Sequence, residues 1–122
     1  MLNDPAFLSF VSGVAAIREN YRVTRGFTVY SNMSARAEVP AGAKFARVYS
    51  TETWAQDGKV REQIYCFVAL EDSNTRTLGA VKKGDVMKPA TWKAPAKHAR
   101  GNIYDENNGL ASCNSYGPGY LK

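Results

Sequence analysis

The chain has 122 residues, 44% of them hydrophobic and 22% charged, with a formal net charge of +5. That length suits a single domain, 1–122, with one modest core, and it excludes a Rossmann unit plus substrate domain, a kinase fold or a barrel enzyme. No run approaches the roughly 20 apolar residues of a membrane span.

No positive charge precedes the apolar stretch of MLNDPAFLSF, so no signal peptide is expected. Two cysteines, Cys66 and Cys113, in a chain without an export signal point to a reducing compartment. Cys66 lies in the apolar run IYCFVAL and reads as a small buried hydrophobe; a Cys66–Cys113 disulfide is open but not implied. With no CxxC pair and no His/Cys cluster, no metal site is expected.

Asp4-Pro5 is a helix start, with Asp4 at the N-cap and Pro5 at the first helical position. Phe7, Phe10, Val11, Val14, Ile17 and Tyr21 then recur at helical spacing as one apolar stripe, and the helix should fade before Gly26. Gly13 weakens it by roughly 1 kcal/mol relative to Ala. Residues 24–42 carry less signal: Phe27, Val29 and Met33 suit a short strand or loop, and residues 34–38 suit a helical turn. Val39-Pro40-Ala41-Gly42 is a turn.

A β-hairpin is the clearest feature. Residues 44–54 alternate, with Phe45, Arg47, Tyr49 and Thr51 on one face and Ala46, Val48 and Ser50 on the other. Asp57-Gly58 supplies the turn, and residues 60–70 return as a second strand, apolar throughout from Ile64 and so suited to cover on both faces. Residues 71–77 read as a polar loop, 78–81 as a short strand and 82–85 as a turn. Residues 86–88 continue the sheet until Pro89. Pro95 opens a one-turn helix closed by Gly101, and the Asn/Gly/Tyr-rich tail holds one terminal strand near residues 110–116. The predicted fold is α+β: one N-terminal amphipathic helix packed on a small three- to four-stranded, mainly antiparallel sheet.

Charge singles out one segment. Residues 1–75 balance eight basic against eight acidic residues, and residues 101–122 sum to −1. Residues 76–100 hold Arg76, Lys82, Lys83, Lys88, Lys93, Lys97 and Arg100 against Asp85 alone, a net of +6. Such a patch attracts polyanions or an acidic protein surface. Trp92 lies among these cations, and Pro89 and Pro95 stiffen the backbone on either side. Lysines that meet phosphates and an indole that stacks on a base suit single-stranded nucleic acid. The candidate binding residues are therefore Lys82, Lys83, Lys88, Trp92, Lys93, Lys97, His98 and Arg100. The competing readings are a lysine-rich solvated face and a Trp92 that packs into the core.

Evidence for catalysis is thin. His98 could act as a base oriented by Asp85 or Asp105, but nothing places a nucleophile beside it. No GxSxG, HExxH, P-loop or GxGxxG pattern occurs. Residues 105–109 resemble a calcium loop in composition but lack its alternating ligands and terminal glutamate. The expectation is a protein that is not an enzyme and takes no cofactor.

The string GDVMKPATWKAPAKHARGNIYD, followed by YGPGYLK, resembles the C-terminal half of small uncharacterised proteins from tailed bacteriophages. Gly84, Asp85, Lys88, Ala90, Thr91, Trp92, Ala94, Pro95, Ala96, Lys97, Arg100, Gly101 and Asn102 occupy that group's shared positions. The likeness covers roughly residues 65–122. It implies a phage protein acting in the cytoplasm of an infected bacterium and carries over no catalytic or binding residues. Two functions follow as expectations. One is DNA or RNA binding through residues 76–100. The alternative is host takeover or anti-defence, in which the protein binds an acidic surface of a host protein and inhibits it. A minor virion component is a further reading, and an exposed sheet edge makes a homodimer conceivable.

Overall fold

In the computed structural model, which describes residues 3–91, 94–114 and 117–118, Asp4 caps helix α1 (Pro5–Arg25) as its sequence predicts. Its Oδ1 accepts from the backbone N–H groups of Ala6 at 2.8 Å and Phe7 at 3.4 Å. Gly26, left-handed, closes the other end. Phe7, Phe10 and Val14 are fully buried, and each such side chain contributes about 1.5–3 kcal/mol through burial. Gly13 faces a close neighbour: a Cβ there would come within 2.4 Å of Leu110 Cδ1.

Among the described residues, nine strands follow: β1 (Tyr30–Glu38), β2 (Phe45–Trp54), β3 (Val60–Ala69), β4 (Ser73–Thr75), β5 (Gly79–Val81), β6 (Asp85–Pro89), β7 (Pro95–Asn102), β8 (Cys113–Asn114) and β9 (Gly117–Pro118). A short 3₁₀ turn spans Glu106–Gly109. The main sheet has the order β1-β2-β3-β6-β7, and each adjacent pair is antiparallel. The two small ladders, β4-β5 and β8-β9, stand apart from it. The α+β architecture is thus present, with a sheet of five strands rather than three or four.

The hairpin forms where alternation and Asp57-Gly58 place it. Val48 pairs with Cys66 and Tyr49 with Ile64, so Tyr65 is the extra residue of a bulge. β3 is covered on both sides. Val68, Cys66 and Tyr65 join Phe7, Phe10, Val14, Val86 and Ile103 in the cluster under the helix. Phe67 and Ala69 join Val81 and Met87 in the cluster on the other face, with Phe45, Ile64 and Leu78 packed against it. The β4-β5 ladder therefore caps the second face and does not extend the sheet.

Five expectations are corrected. Residues 34–38 are strand, not a helical turn, because β1 pairs along β2 from Tyr30↔Trp54 to Glu38↔Arg47. The polar loop at 71–77 contains β4. Pro95 opens β7 rather than a helix; at the start of an edge strand its missing N–H removes little from the ladder. Gly101 is no left-handed cap, and a Cβ there would lie 3.2 Å from the carbonyl oxygen of Gly109. The tail holds two paired two-residue strands rather than one.

Candidate functional site

The basic segment folds as turns and strands rather than as one stiff loop. Arg76 is exposed between β4 and β5, and Lys82 and Lys83 are exposed in the turn between β5 and β6. Lys97 and His98 are exposed on β7. The pairing shifts register twice along β6 and β7, so β7 carries surplus residues around 96–98 and at Arg100. His98 accordingly sits at φ 74°, a left-handed conformation that costs a non-glycine residue about 1–2 kcal/mol.

Two candidates are not available as free cations. Lys88 is half-buried, and its Nζ donates to the carbonyl oxygen of Pro118 at 3.3 Å. The Arg100 guanidinium folds back along its own strand and donates to the carbonyl oxygens of Lys97, at 2.8 Å, and His98. Trp92 and Lys93 lie outside the described residues. Asp85 does not orient His98: it accepts from the Lys82 N–H at 2.9 Å and from Asn102 Nδ2 at 3.0 Å. Among the described residues, no group of three or more His, Cys, Asp or Glu is placed to hold a metal ion. No helix among them is long and apolar enough to cross a membrane.

The ion pairs among the described residues join the helix and the first three strands. Arg18 pairs with Glu52, Arg22 with Glu19, and Arg36 with both Glu38 and Glu62. Among the described residues, no carboxylate pairs with Arg76, Lys82, Lys83 or Lys97. Lys83 lies 6.0 Å from the ring centroid of Tyr104, which is 46% exposed. That ring rests on Gly84, where a Cβ would come within 2.5 Å of it. The Tyr104 hydroxyl donates to Asp4 Oδ2 at 2.6 Å. This bond holds the Asp4 carboxyl below its ordinary range. Partial burial, together with the same bond, pushes the Tyr104 phenol up to about 12. An exposed aromatic ring thus stands beside Lys83. The sequence reading missed Tyr104 because it lies 21 residues beyond Lys83 and is brought back by the β6-β7 pairing.

A second feature was not anticipated. Between the C-terminal half of α1 and the β1-β2-β3 end of the sheet lies a cleft of about 600 Å³. Tyr21, Phe27, Tyr30 and Trp54 line it as a continuous series of edge-to-face rings, with centroid separations of 5.4, 6.5 and 5.1 Å. Arg18, Ser50, Glu52 and Gln63 add polar groups. Arg18 Nη2 meets Glu52 Oε1 at 2.8 Å, so the lining carries no net charge. Trp54 Nε1 is buried without a hydrogen-bond partner, a state that costs about 1–3 kcal/mol. Two further guanidiniums stack on lining rings: Arg25 at 5.5 Å from the Tyr21 centroid and Arg61 at 4.7 Å from Trp54.

Both thiols are free. Burial pushes Cys66 and Cys113 up, which keeps them as unreactive thiols. The Tyr65 hydroxyl beside them donates to the Asn114 carbonyl at 2.5 Å, so this cluster fastens the tail to β3.

No curated protein and no solved structure matches the chain. The model of one family of unknown function, DUF7717, matches residues 16–121. That match runs from mid-helix through all nine strands, and the chain belongs to this family.

Proposed function

We propose that the chain is a non-catalytic nucleic-acid-binding protein of a tailed phage, working in the bacterial cytoplasm through the cations of residues 76–100. The unpaired state of Arg76, Lys82, Lys83 and Lys97 carries this reading: these four exposed cations of one segment have no carboxylate partner among the described residues, whereas Arg18, Arg22 and Arg36 each have one. A cation without an internal partner retains its full charge for phosphate. The exposed Tyr104 ring beside Lys83 adds a surface on which a base can stack. The phage setting rests on the sequence resemblance of residues 84–105 and 116–122 alone.

The test is a fluorescence-anisotropy titration of single-stranded and duplex oligonucleotides at two salt concentrations. The variant changes Lys82, Lys83 and Lys97 to Ala, all exposed and none in an ion pair. Micromolar binding that weakens with salt, and more than tenfold in the variant, is expected. Absence of binding at low salt overturns the reading. Recovery of one stoichiometric host protein from nuclease-treated lysate would then favour docking on an acidic host surface.

A further inference from the structure

We propose that the cleft between α1 and the β1-β2-β3 end of the sheet binds a nucleobase, presented either as a free nucleoside or nucleotide or as an unstacked base of a single strand. The inference does not rest on the basic segment, which lies toward the other edge of the sheet.

Four observations specify the ligand. First, the volume of about 600 Å³ falls within the range of small-molecule sites, and the walls are mostly apolar, with four aromatic rings among them. Second, Tyr21, Phe27, Tyr30 and Trp54 meet edge to face, so these contacts stack no two of the four rings face against face, and a flat guest can pack against the series. Third, Trp54 Nε1 is a buried donor that lacks an acceptor. A ring carbonyl or ring nitrogen of the guest supplies one, and binding then satisfies a group the free protein leaves unpaired. Fourth, the lining is electroneutral but keeps Glu52 and Gln63 as partners for an exocyclic amine. A charged head inside the cleft would be left without a counter-ion, whereas a neutral ring with donors and acceptors on its edge would not. Arg25 and Arg61, stacked on the outer rings, stand near enough to meet a phosphate attached to that base. A wholly aliphatic guest would leave Trp54 Nε1 unpaired, and an anionic one would compete with Glu52 for Arg18.

The experiment uses the full chain with ¹⁵N-labelled tryptophan side chains. The Trp54 Nε1–H resonance is assigned by its loss in Trp54→Phe, which separates it from Trp92. Adenosine, guanosine, cytidine, uridine and their 5′-monophosphates are titrated in one arm, and a ten-nucleotide single strand in the other. The expected result is a saturable downfield displacement of the Trp54 N–H with at least one base. Its midpoint should weaken at least tenfold in Phe27→Ala, a partly exposed connecting residue whose loss leaves the core intact. A displacement by nucleosides or monophosphates assigns the free source; one by the strand alone assigns the polymer. Tighter binding of monophosphates than nucleosides, lost in Arg61→Gln, places the phosphate at the outer guanidinium. No saturable displacement in either arm, or one unaffected by Phe27→Ala, overturns the inference. Oligonucleotide binding lost through Lys82, Lys83 and Lys97 while Trp54 stays unmoved would retain the basic-segment reading and remove this one.

Discussion

Arg18 and Glu52 form the one ion pair that ties the helix to the hairpin among the described residues, with Nη2 and Oε1 2.8 Å apart and side-chain exposures of 7% and 16%. Arg18 falls on the buried stripe four residues after Val14, where an apolar residue would otherwise continue the pattern. Met33 lines the same cleft as this pair, and its N–H donates to Glu19 Oε2 at 2.8 Å, so β1 donates to a carboxylate of the helix while β2 supplies a carboxylate to the helix.

Removing one member of this pair takes the ion-pair partner from the other, which stays largely out of water. Arg18→Met is expected to lower stability by about 3 kcal/mol, and Glu52→Leu by somewhat less because Glu52 is the more exposed. Arg18→Met combined with Glu52→Leu should recover a large part of the loss, since a well-packed apolar pair can match a buried ion pair. Urea denaturation of the four proteins closes the cycle. Additive losses would show that the two charges do not depend on each other.

The bond between Tyr104 and Asp4 has a pH signature. Asp4 is held below its ordinary value in the folded chain, so its contribution is present above about pH 4 and is lost as pH falls through the folded value. Tyr104 is raised, so its contribution is present below about pH 10 and is lost as pH rises through about 12. Tyr104→Phe should move the Asp4 titration, followed by carboxyl NMR, back up toward the ordinary value. It should also flatten the acid limb of the stability curve. An Asp4 titration unchanged by the substitution would contradict the assigned cause.

Gly58 and Gly109 are both left-handed, at φ +69° and +72°, but their surroundings differ. Gly58 has open space where a Cβ would project, so Gly58→Ala should cost only the conformational penalty of about 1–2 kcal/mol. At Gly109 a Cβ would lie 3.0 Å from the backbone carbon and oxygen of Asn102. Gly109→Ala should therefore cost about 2–4 kcal/mol, because backbone cannot step aside as a flexible side chain can. Thermal unfolding of both variants measures the gap, and equal losses would mean that the Asn102 contact yields.

The elements legible in the sequence are those whose signal is local. Asp4-Pro5, the stripe through Phe7, Phe10 and Val14, and the alternation around Asp57-Gly58 each specify their structure within a few residues. β1 and β7 do not. YSNMSARAE and PAKHARGN lack runs of β-branched residues, and they become strands by pairing with the edges that β2 and β6 offer. The site followed the same division. A cluster of lysines in sequence could be counted, but which of them faced solvent depended on the pairing. That pairing turned Lys88 toward Pro118 and Arg100 along its own strand. The cleft gathers Arg18, Phe27, Tyr30, Trp54 and Gln63 from the helix, its following connection and three strands, and no local spacing announces it.

Lys88 and Lys97 separate a lysine that holds the fold from one that meets a ligand. Lys88 is half-buried on β6 and bonds the tail at Pro118, so Lys88→Met keeps the aliphatic stem and deletes only the donor. That substitution should lower stability by about 1–2 kcal/mol, because the Pro118 carbonyl loses a charged partner. It should leave the salt dependence of oligonucleotide binding unaltered. Lys97 is exposed, with neither a carboxylate nor a ring beside it among the described residues, so Lys97→Ala should change stability by less than about 0.5 kcal/mol. If Lys97 contacts a phosphate, its loss should reduce the slope of log K against log salt by about 0.7 on a single strand. Denaturation and anisotropy on the same two variants read both quantities. A slope lost with Lys88 and kept without Lys97 would place the phosphate path at β6 and the tail rather than at the exposed cations.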